Sequence, residues 1–338
     1  MIKRIPIELY INEHINVPII DVRSPGEFKQ GHIPSAFNIP LFSNDERAKV
    51  GTVYKQKSKE AAIELGYTFV NPKLNLFIEE SQKIAPQKTV AVHCWRGGMR
   101  SEAFANHLHE NGFEKVYVIE KGYKAFRNYV LSFFETKFNL KILGGYTGSG
   151  KTDVLKVLID KGEQVIDLEG LANHKGSAFG AIGEKEQPTT EHFENNLFFN
   201  MQALDTKKTI WLEDESLNIG KVIIPKALFL QMRNHMVYFI DIPVVERAKY
   251  LVQTYGLFEK SKLEESILRI TKRLGHEKAQ MAINALNSGD LQTVAEITLK
   301  YYDKAYLGGL EKRDQSTVTK IPLKTVDEEI SANALLQF

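Results

Sequence analysis

The stretch Leu140-Lys-Ile-Leu-Gly-Gly-Tyr-Thr-Gly-Ser-Gly-Lys-Thr152 constrains the fold of this chain more than any other. An apolar run leads into it, and Val154, Leu155, Val157 and Leu158 lead out with helical spacing. Between them, Gly145, Tyr146, Thr147, Gly148, Ser149, Gly150, Lys151 and Thr152 follow the pattern G-x-x-x-x-G-K-T. Glycines let backbone N–H groups wrap an anion at a helix start, where the helix dipole adds attraction. In such a loop the lysine reaches the outer phosphates and the threonine hydroxyl is a ligand for Mg²⁺. A chance glycine-rich turn would lack the strand before it and the helix after it. The spacing predicts a P-loop in a parallel α/β sheet, with its site at the C-terminal end of a strand.

A second strand–loop–helix frame surrounds the single cysteine. Val90-Ala-Val92 leads into His93-Cys94-Trp95-Arg96-Gly97-Gly98-Met99-Arg100-Ser101, and Ser101 to His109 is patterned as a helix. Loop amides beside a helix N-terminus, with Arg96 and Arg100, would stabilise both a bound anion and a thiolate. Cys94 is therefore expected to be a nucleophile of lowered pKa. A buried, inert cysteine is the bland alternative, and two arginines with a Gly97-Gly98 turn argue against it. One cysteine excludes an intrachain disulfide and fits a reducing, cytoplasmic setting.

The 338 residues suffice for two domains, each with its own core. No apolar run approaches a membrane span and Met1 to Pro6 lacks a signal-peptide core, so no membrane partner is expected. With a net charge of +2, any nucleic-acid site must be a local patch. No set of residues has metal-ligand spacing, and no tightly bound cofactor is expected.

In the first half, Val17-Pro-Ile-Ile-Asp-Val-Arg23 reads as a short buried strand, and Ser24-Pro25 caps a helical turn. Five residues separate Cys94 from Arg100, so the loop also matches HC-x5-R-S, the spacing of cysteine-dependent phosphatases. A loop of that width suits a tetrahedral oxyanion. In the phosphatase reading Cys94 attacks phosphorus and Arg100 clamps the equatorial oxygens. It also needs a general acid, and Asp21 and Asp45 are the only aspartates near in sequence. The charged segment Asn44 to Gln56, capped by Ser43 or Asn44, reads by itself as a solvated helix.

In the second half, Lys121 to Lys137 reads as a connecting helix. Gln164-Val-Ile-Asp167 is a strand ending in an acid. Thr209-Ile-Trp-Leu212 runs into Glu213-Asp214-Glu215, so Glu213 and Asp214 are candidate Mg²⁺-organising acids, weighed evenly against simple helix caps. Met236 to Ile240 is a further strand, and Pro243 suits the start of a helix containing Arg247. Val244 to Leu310 is mostly helical. Ser261 to Leu274 is basic, with Tyr301, Tyr302 and Tyr306 downstream. An RNA-binding face is one reading, and a solvated helix over an aromatic core is the favoured one. Ser316 to Lys324 alternates like an edge strand.

The segments "DVRSPGEFKQGHIPSAFNIP" and "VHCWRGGMRS" resemble the two signatures of rhodanese-type sulfurtransferase domains, with Ser35 where that family usually has glycine. Adding "NDERAKVGTVYKQ", "GGYTGSGKT", "DLEGLANHKGSAFG" and "WLEDESLNIG", the chain resembles the tRNA 2-selenouridine synthase family up to about Gly220. The resemblance implies a rhodanese-like parallel-sheet domain over 1–130 and a linker over 131–138. A P-loop NTPase-like α/β domain with a mostly helical C-terminal part follows over 139–338. It implies exchange of sulfur for selenium at C2 of wobble 2-thiouridine in tRNA. Selenophosphate, from a separate supplying enzyme, is the implied donor, and the implied intermediate is S-geranylated with geranyl diphosphate.

On this reading Cys94 handles the chalcogen while Trp95, Arg96, Gly97, Gly98, Met99 and Arg100 hold the phosphate end of selenophosphate. Gly145 to Thr152 hold the geranyl diphosphate, and the aromatic stretch Phe193 to Phe199 either shelters the prenyl chain or is plain helix core. Asn44 to Gln56 becomes a tRNA- or interface-facing element. Asp167, His174, Lys175, Ser177, Glu213 and Asp214 become candidates for substrate or Mg²⁺ contact. A phosphatase or plain sulfurtransferase fused to a kinase-like domain, and a non-catalytic binding module, are the other readings.

Overall fold

The computed structural model describes residues 1–338. The chain divides into two compact units, Met1–Phe133 and Phe134–Phe338. In the first, β1 (Ile2–Ile5), β2 (Ile19–Asp21), β3 (Phe37–Asn38), β4 (Thr89–His93) and β5 (Lys115–Ile119) form one sheet. The order is β1-β5-β4-β2-β3 and every pairing is parallel. β4 is the middle strand, and Val90, Ala91, Val92 and His93 are all buried, as a strand covered on both faces requires. Ser24 caps the helix Pro25–Gln30 with a capping box to Glu27, and Ser43 caps Asn44–Gln56 in the same way with Glu46. Ser35 has a φ of +68°, the left-handed region.

The second unit repeats the architecture around its own sheet. Its strands are β6 (Asn139–Gly145), β7 (Gln164–Ile166), β8 (Thr209–Glu213), the small antiparallel pair β9 (Asn218–Ile219) and β10 (Val222–Ile223), β11 (Val237–Asp241) and β12 (Val318–Pro322). The main sheet runs β12-β11-β6-β8-β7, all parallel, with β6 in the middle and β12 at the edge. The helices Val244–Tyr255, Lys260–Leu274, His276–Ser288 and Leu291–Leu310 make the helical part between β11 and β12. The stretch after Phe133 is held inside this unit. The Gln231 side chain donates to the carbonyls of Phe134 and Thr136 and accepts from the Phe138 amide. Phe134 and Phe138 are buried. No helix is long and apolar enough to cross a membrane.

Candidate functional site

β4 ends at His93, and Cys94 to Gly98 turn sharply into the helix Met99–Glu110. The turn is tight because two glycines meet in it. Gly97 has a φ of +62°, and a Cβ there would lie 2.5 Å from the Ile119 carbonyl oxygen. Gly122 has a φ of +54°, and its Cβ would run into the Cys94 carbonyl oxygen. With no side chains in the way, Tyr123 N–H donates to Cys94 C=O (2.8 Å) and Lys124 N–H to Trp95 C=O (3.0 Å). The segment after β5 thus fixes the cysteine loop from outside.

Cys94 lies buried at the floor, its Sγ 3.4 Å from Ser101 Oγ. Burial opposes ionisation, but the Ser101 hydroxyl, Arg100 and the amides of Gly98 and Ser101 outweigh it, leaving the thiol below its ordinary value. Ser101 Oγ also donates to the Gly98 carbonyl (3.0 Å), so its one proton can turn to the sulfur when the thiol ionises. Arg100 is held at the rim by Glu27 (3.3 Å), whose carboxylate also faces Arg47 at 3.6 Å. Asn44 Oδ1 accepts from the Gly26 amide (2.7 Å). The start of Asn44–Gln56 therefore packs against the helix that carries Glu27, which spacing alone did not show. Arg96 and Met99 are exposed and Trp95 is half-buried.

Beneath the loop lies a buried ionic group. Arg23 binds the Asp21 carboxylate through Nε and Nη2 (2.9 and 2.5 Å) and the Gly31 carbonyl at 2.7 Å, and its guanidinium stacks 3.8 Å from the Tyr123 ring. His93 Nε2 sits 3.7 Å from Asp21. Burial drives the His93 pKa down to about 4 against the pull of Asp21, so the ring is neutral. Asp21 is desolvated as well, yet His93 and Arg23 hold its carboxyl below the usual range. Asp21 is thus a structural anion and no acid for a leaving group, and Asp45 is exposed in the first turn of its helix. The phosphatase reading is left without its general acid.

In the second unit β6 passes through Gly145 (φ +157°), Gly148 (φ +81°) and Gly150 (φ +72°) into the helix Lys151–Asp160. Ser149 Oγ donates to the Tyr146 carbonyl at 2.5 Å, and Arg247 donates to Thr147 C=O at 3.0 Å while pairing with Asp303 at 2.8 Å. Lys151 Nζ reaches back to the Gly145 carbonyl at 3.3 Å and lies 5.6 Å from the Tyr306 ring centroid. Its burial disfavours charge, but Tyr306 and the carboxylates of Glu169, Glu215 and Glu213 raise it above the ordinary lysine value.

These three glutamates are the part of the site that spacing did not show as a set. Thr152 Oγ1 lies 3.4 Å from Glu169 and 3.5 Å from Glu213, and Glu213 accepts from the Glu169 amide at 3.1 Å. Each is buried and has a raised pKa; desolvation is the leading cause, and the charge of Glu169 raises Glu213 and Glu215 further. A Cβ at Gly176 (φ +62°) would stand 2.6 Å from Glu169 and 3.0 Å from Glu215, so the loop carrying His174, Lys175 and Ser177 closes over them.

The other candidates scatter. Asp214 points away from Thr152, bonding Arg313 and facing Arg233 at 3.6 Å, because side chains alternate at a strand end. Of the two candidate acids Glu213 and Asp214, only Glu213 lies at the loop. Asp167 caps the helix Leu168–Ala172 through the Gly170 amide (2.7 Å). His174 N–H donates to the Glu169 carbonyl (3.0 Å), while Lys175 pairs with Glu184 at 3.3 Å and lies 5.5 Å from the Tyr255 ring centroid. No group of three His, Cys, Asp or Glu side chains is arranged to hold a metal by itself.

The P-loop opens into a cavity of about 420 Å³. Its lining joins Thr147 to Asp153, Glu169, Lys175 and Ser177 to an apolar wall from Val244–Tyr255, Lys260–Leu274 and Leu291–Leu310. Of the two readings of Phe193 to Phe199, the plain helix core is the one observed, since none of these residues is part of that lining. Phe193 and Phe198 are fully buried in the helix Thr190–Gln202, whose broad inner face also buries Leu197 and Met201. Chemically, one loop offers a thiolate in a basic cradle, and the other a cation-backed phosphate cradle with an apolar extension.

Comparison with known proteins matches the model of the tRNA 2-selenouridine synthase AAA domain to residues 138–335 and that of the rhodanese-like domain to residues 9–129. A tRNA 2-selenouridine synthase of Bdellovibrio bacteriovorus is 35% identical, over 90% of this chain and 92% of that protein. Its namesake in Shewanella sediminis is 36% identical, over 93% and 92%. The one in Hydrogenovibrio crunogenus is 37% identical, over 79% of each.

Proposed function

The chain belongs to the tRNA 2-selenouridine synthase family, and from that premise we propose that it replaces sulfur with selenium at C2 of wobble 2-thiouridine in tRNA. Selenophosphate is the selenium donor, geranyl diphosphate supplies an S-geranylated intermediate, and the reaction belongs to the reducing cytoplasm. The observation that carries this reading is the pairing of two anion cradles in one chain. One has a thiol of lowered pKa at its floor, and the other has a buried lysine and no nucleophile.

In the first step the thiouridine sulfur forms a bond to C1 of the geranyl group as the C1–O bond breaks and the N3 proton passes to water. Gly145 to Thr152 hold the diphosphate, and Lys151 takes up the negative charge that develops on it. In the second step a C2–Se bond forms and the C2–S bond breaks. Geranylthiol leaves, and water releases phosphate from the donor. Arg100 and the loop amides, with exposed Arg96 above them, grip the phosphate end of selenophosphate and leave its selenium beside Cys94.

The test is to incubate the protein with thiolated tRNA and analyse the digested nucleosides by mass spectrometry. Geranyl diphosphate alone should give the S-geranyl nucleoside, and added selenophosphate should convert it to 2-selenouridine. Selenouridine formed equally fast without geranyl diphosphate would remove the prenyl step, and no product under either condition would remove the assignment.

A further inference from the structure

The cavity beside the P-loop has a direction. On the helix Leu291–Leu310 it is lined by Leu291, Val294, Thr298, Tyr302 and Tyr306, spaced by three or four residues and so on one face along most of the helix. Tyr306 stands at the phosphate end, since Lys151 Nζ lies 5.6 Å from its ring centroid. Leu291 therefore stands at the far end, about 22 Å away at 1.5 Å per residue. Its side chain leans outward, toward the helix N-terminus. There Leu263 and Gly256 complete the wall, a Cβ on Gly256 lying only 3.4 Å from Leu291 Cδ1.

The walls between are mostly apolar, and several of their polar groups are spent inside the protein. Thr298 donates to the carbonyls of Val294 (2.9 Å) and Ala295 (3.1 Å), Tyr250 to Asp153 (2.7 Å), and Thr254 to the Tyr250 carbonyl (2.9 Å). A nucleoside would need donors and acceptors for its base and ribose, whereas a hydrocarbon needs none.

We propose that the helix Leu291–Leu310 is a ruler for the hydrocarbon tail of the bound diphosphate, with Leu291, Leu263 and Gly256 as its end stop. The proposal rests on the diphosphate reading of the P-loop given above. The diphosphate spans about the turn from Tyr306 to Tyr302, roughly 5 Å. A geranyl main chain of eight carbons advances roughly 1.25 Å per bond, about 9 Å in all. Its tip then falls about six residues on, at 1.5 Å each, beside Ala295 and Thr298. A farnesyl main chain of twelve carbons needs about 14 Å, about nine residues, and brings its tip past Val294 up against the Leu291 end of the lining.

The experiment compares dimethylallyl, geranyl and farnesyl diphosphates, each by competition against bound geranyl diphosphate and by transfer to thiolated tRNA. Leu291→Ala and Leu263→Ala should each raise the farnesyl-to-geranyl ratio about tenfold in both measurements. Val294→Phe should lower the geranyl-to-dimethylallyl ratio by a similar factor. Lys151→Ala should weaken all three ligands without changing their ratios. Ratios unmoved in all three wall variants, with Lys151→Ala still damaging, would overturn the ruler and leave the diphosphate site standing. If Lys151→Ala spared binding and transfer, the diphosphate reading would fall and the ruler with it.

Discussion

The two loops use one backbone device for two different ends. Each follows the third strand of a five-stranded parallel sheet, β4 in one unit and β6 in the other, and each turns through glycine into a helix. Middle strands carry their loops over the crevice at the C-terminal edge, so by topology alone both loops offer the backbone N–H groups and helix start that an anion site needs. What differs is the floor. The Cys94 loop rests on Asp21, Arg23 and His93 and puts a thiol where the anion would sit. The P-loop rests on Glu169, Glu213 and Glu215, puts a lysine there, and opens toward apolar helices. On the proposed reading the backbone of each loop holds an anion, and the side chains beneath decide whether that anion sits beside a thiolate or departs as a leaving group.

The comparison is broken most sharply by removing each loop's own reacting group. Cys94→Ser should lower selenium incorporation at least about a thousandfold and spare geranylation, as expected if the thiolate beside the donor's selenium is needed for that step alone. Lys151→Ala should lower geranylation by about a hundred- to a thousandfold and spare the conversion of pre-geranylated tRNA. Nucleoside mass spectrometry separates the two, and any variant that stops both steps equally would show that the loops do not divide the chemistry.

Next in size is Arg100. Arg100→Ala should raise KM for selenophosphate about ten- to a hundredfold, the worth of a charge-assisted hydrogen bond, with little change in kcat. It should also move the pH midpoint of Cys94 alkylation upward, since Arg100 is among the groups that lower that pKa. Because Cys94 is the only cysteine, iodoacetamide uptake reads this site alone. An unmoved midpoint would leave the thiol's activation to Ser101 and the loop amides.

The buried floors should also give the units opposite pH dependence. His93 has a folded pKa of about 4, below its ordinary 6.5, so the unfolded state binds more protons between these values. The first unit should therefore lose on the order of 2–3 kcal/mol as pH falls from 6.5 toward 4. Glu169, Glu213 and Glu215 have raised folded pKa values, so there the folded state binds more protons. Their contribution is present at the ordinary carboxyl pKa and is lost as pH rises above it. Trp95 lies in one unit and Trp211 in the other, and there are only two tryptophans. Fluorescence-monitored denaturation of Trp211→Phe and of Trp95→Phe reads the units separately. Parallel slopes would contradict the contrast.

The smallest effect concerns glycine. The P-loop has glycine at both its left-handed positions, Gly148 and Gly150, whereas Ser35 in the first unit has a side chain at a φ of +68°. Ser35→Gly should stabilise the first unit by about 0.5–1 kcal/mol in the same assay.

Much of this was legible in the residues. Apolar runs ending in Cys94 and Gly145 located the middle strands, and the capping serines Ser24 and Ser43 marked their helices. The edge strand at Ser316 to Lys324 and the helical stretch from Val244 to Leu310 also followed from pattern. Three features did not. Glu169 and Glu215 joined Glu213 only because three segments far apart in sequence meet at Thr152. Asp214 turned toward Arg313, a partner 99 residues away. The apolar chamber is made by Leu251, Leu263 and Leu291, which lie on three helices and look like ordinary core residues in the sequence.

By itself the sequence determined the two sheets, the two glycine-turned loops at their strand ends and the cysteine in one of them. Those depend on interactions within a strand, a turn and a helix that are neighbours along the chain. Only the tertiary structure decided which acids face the lysine, which arginines guard the cysteine and where an apolar tail would lie. Each of those depends on side chains from distant segments meeting in a low-dielectric interior, and there the chain's order says nothing about proximity.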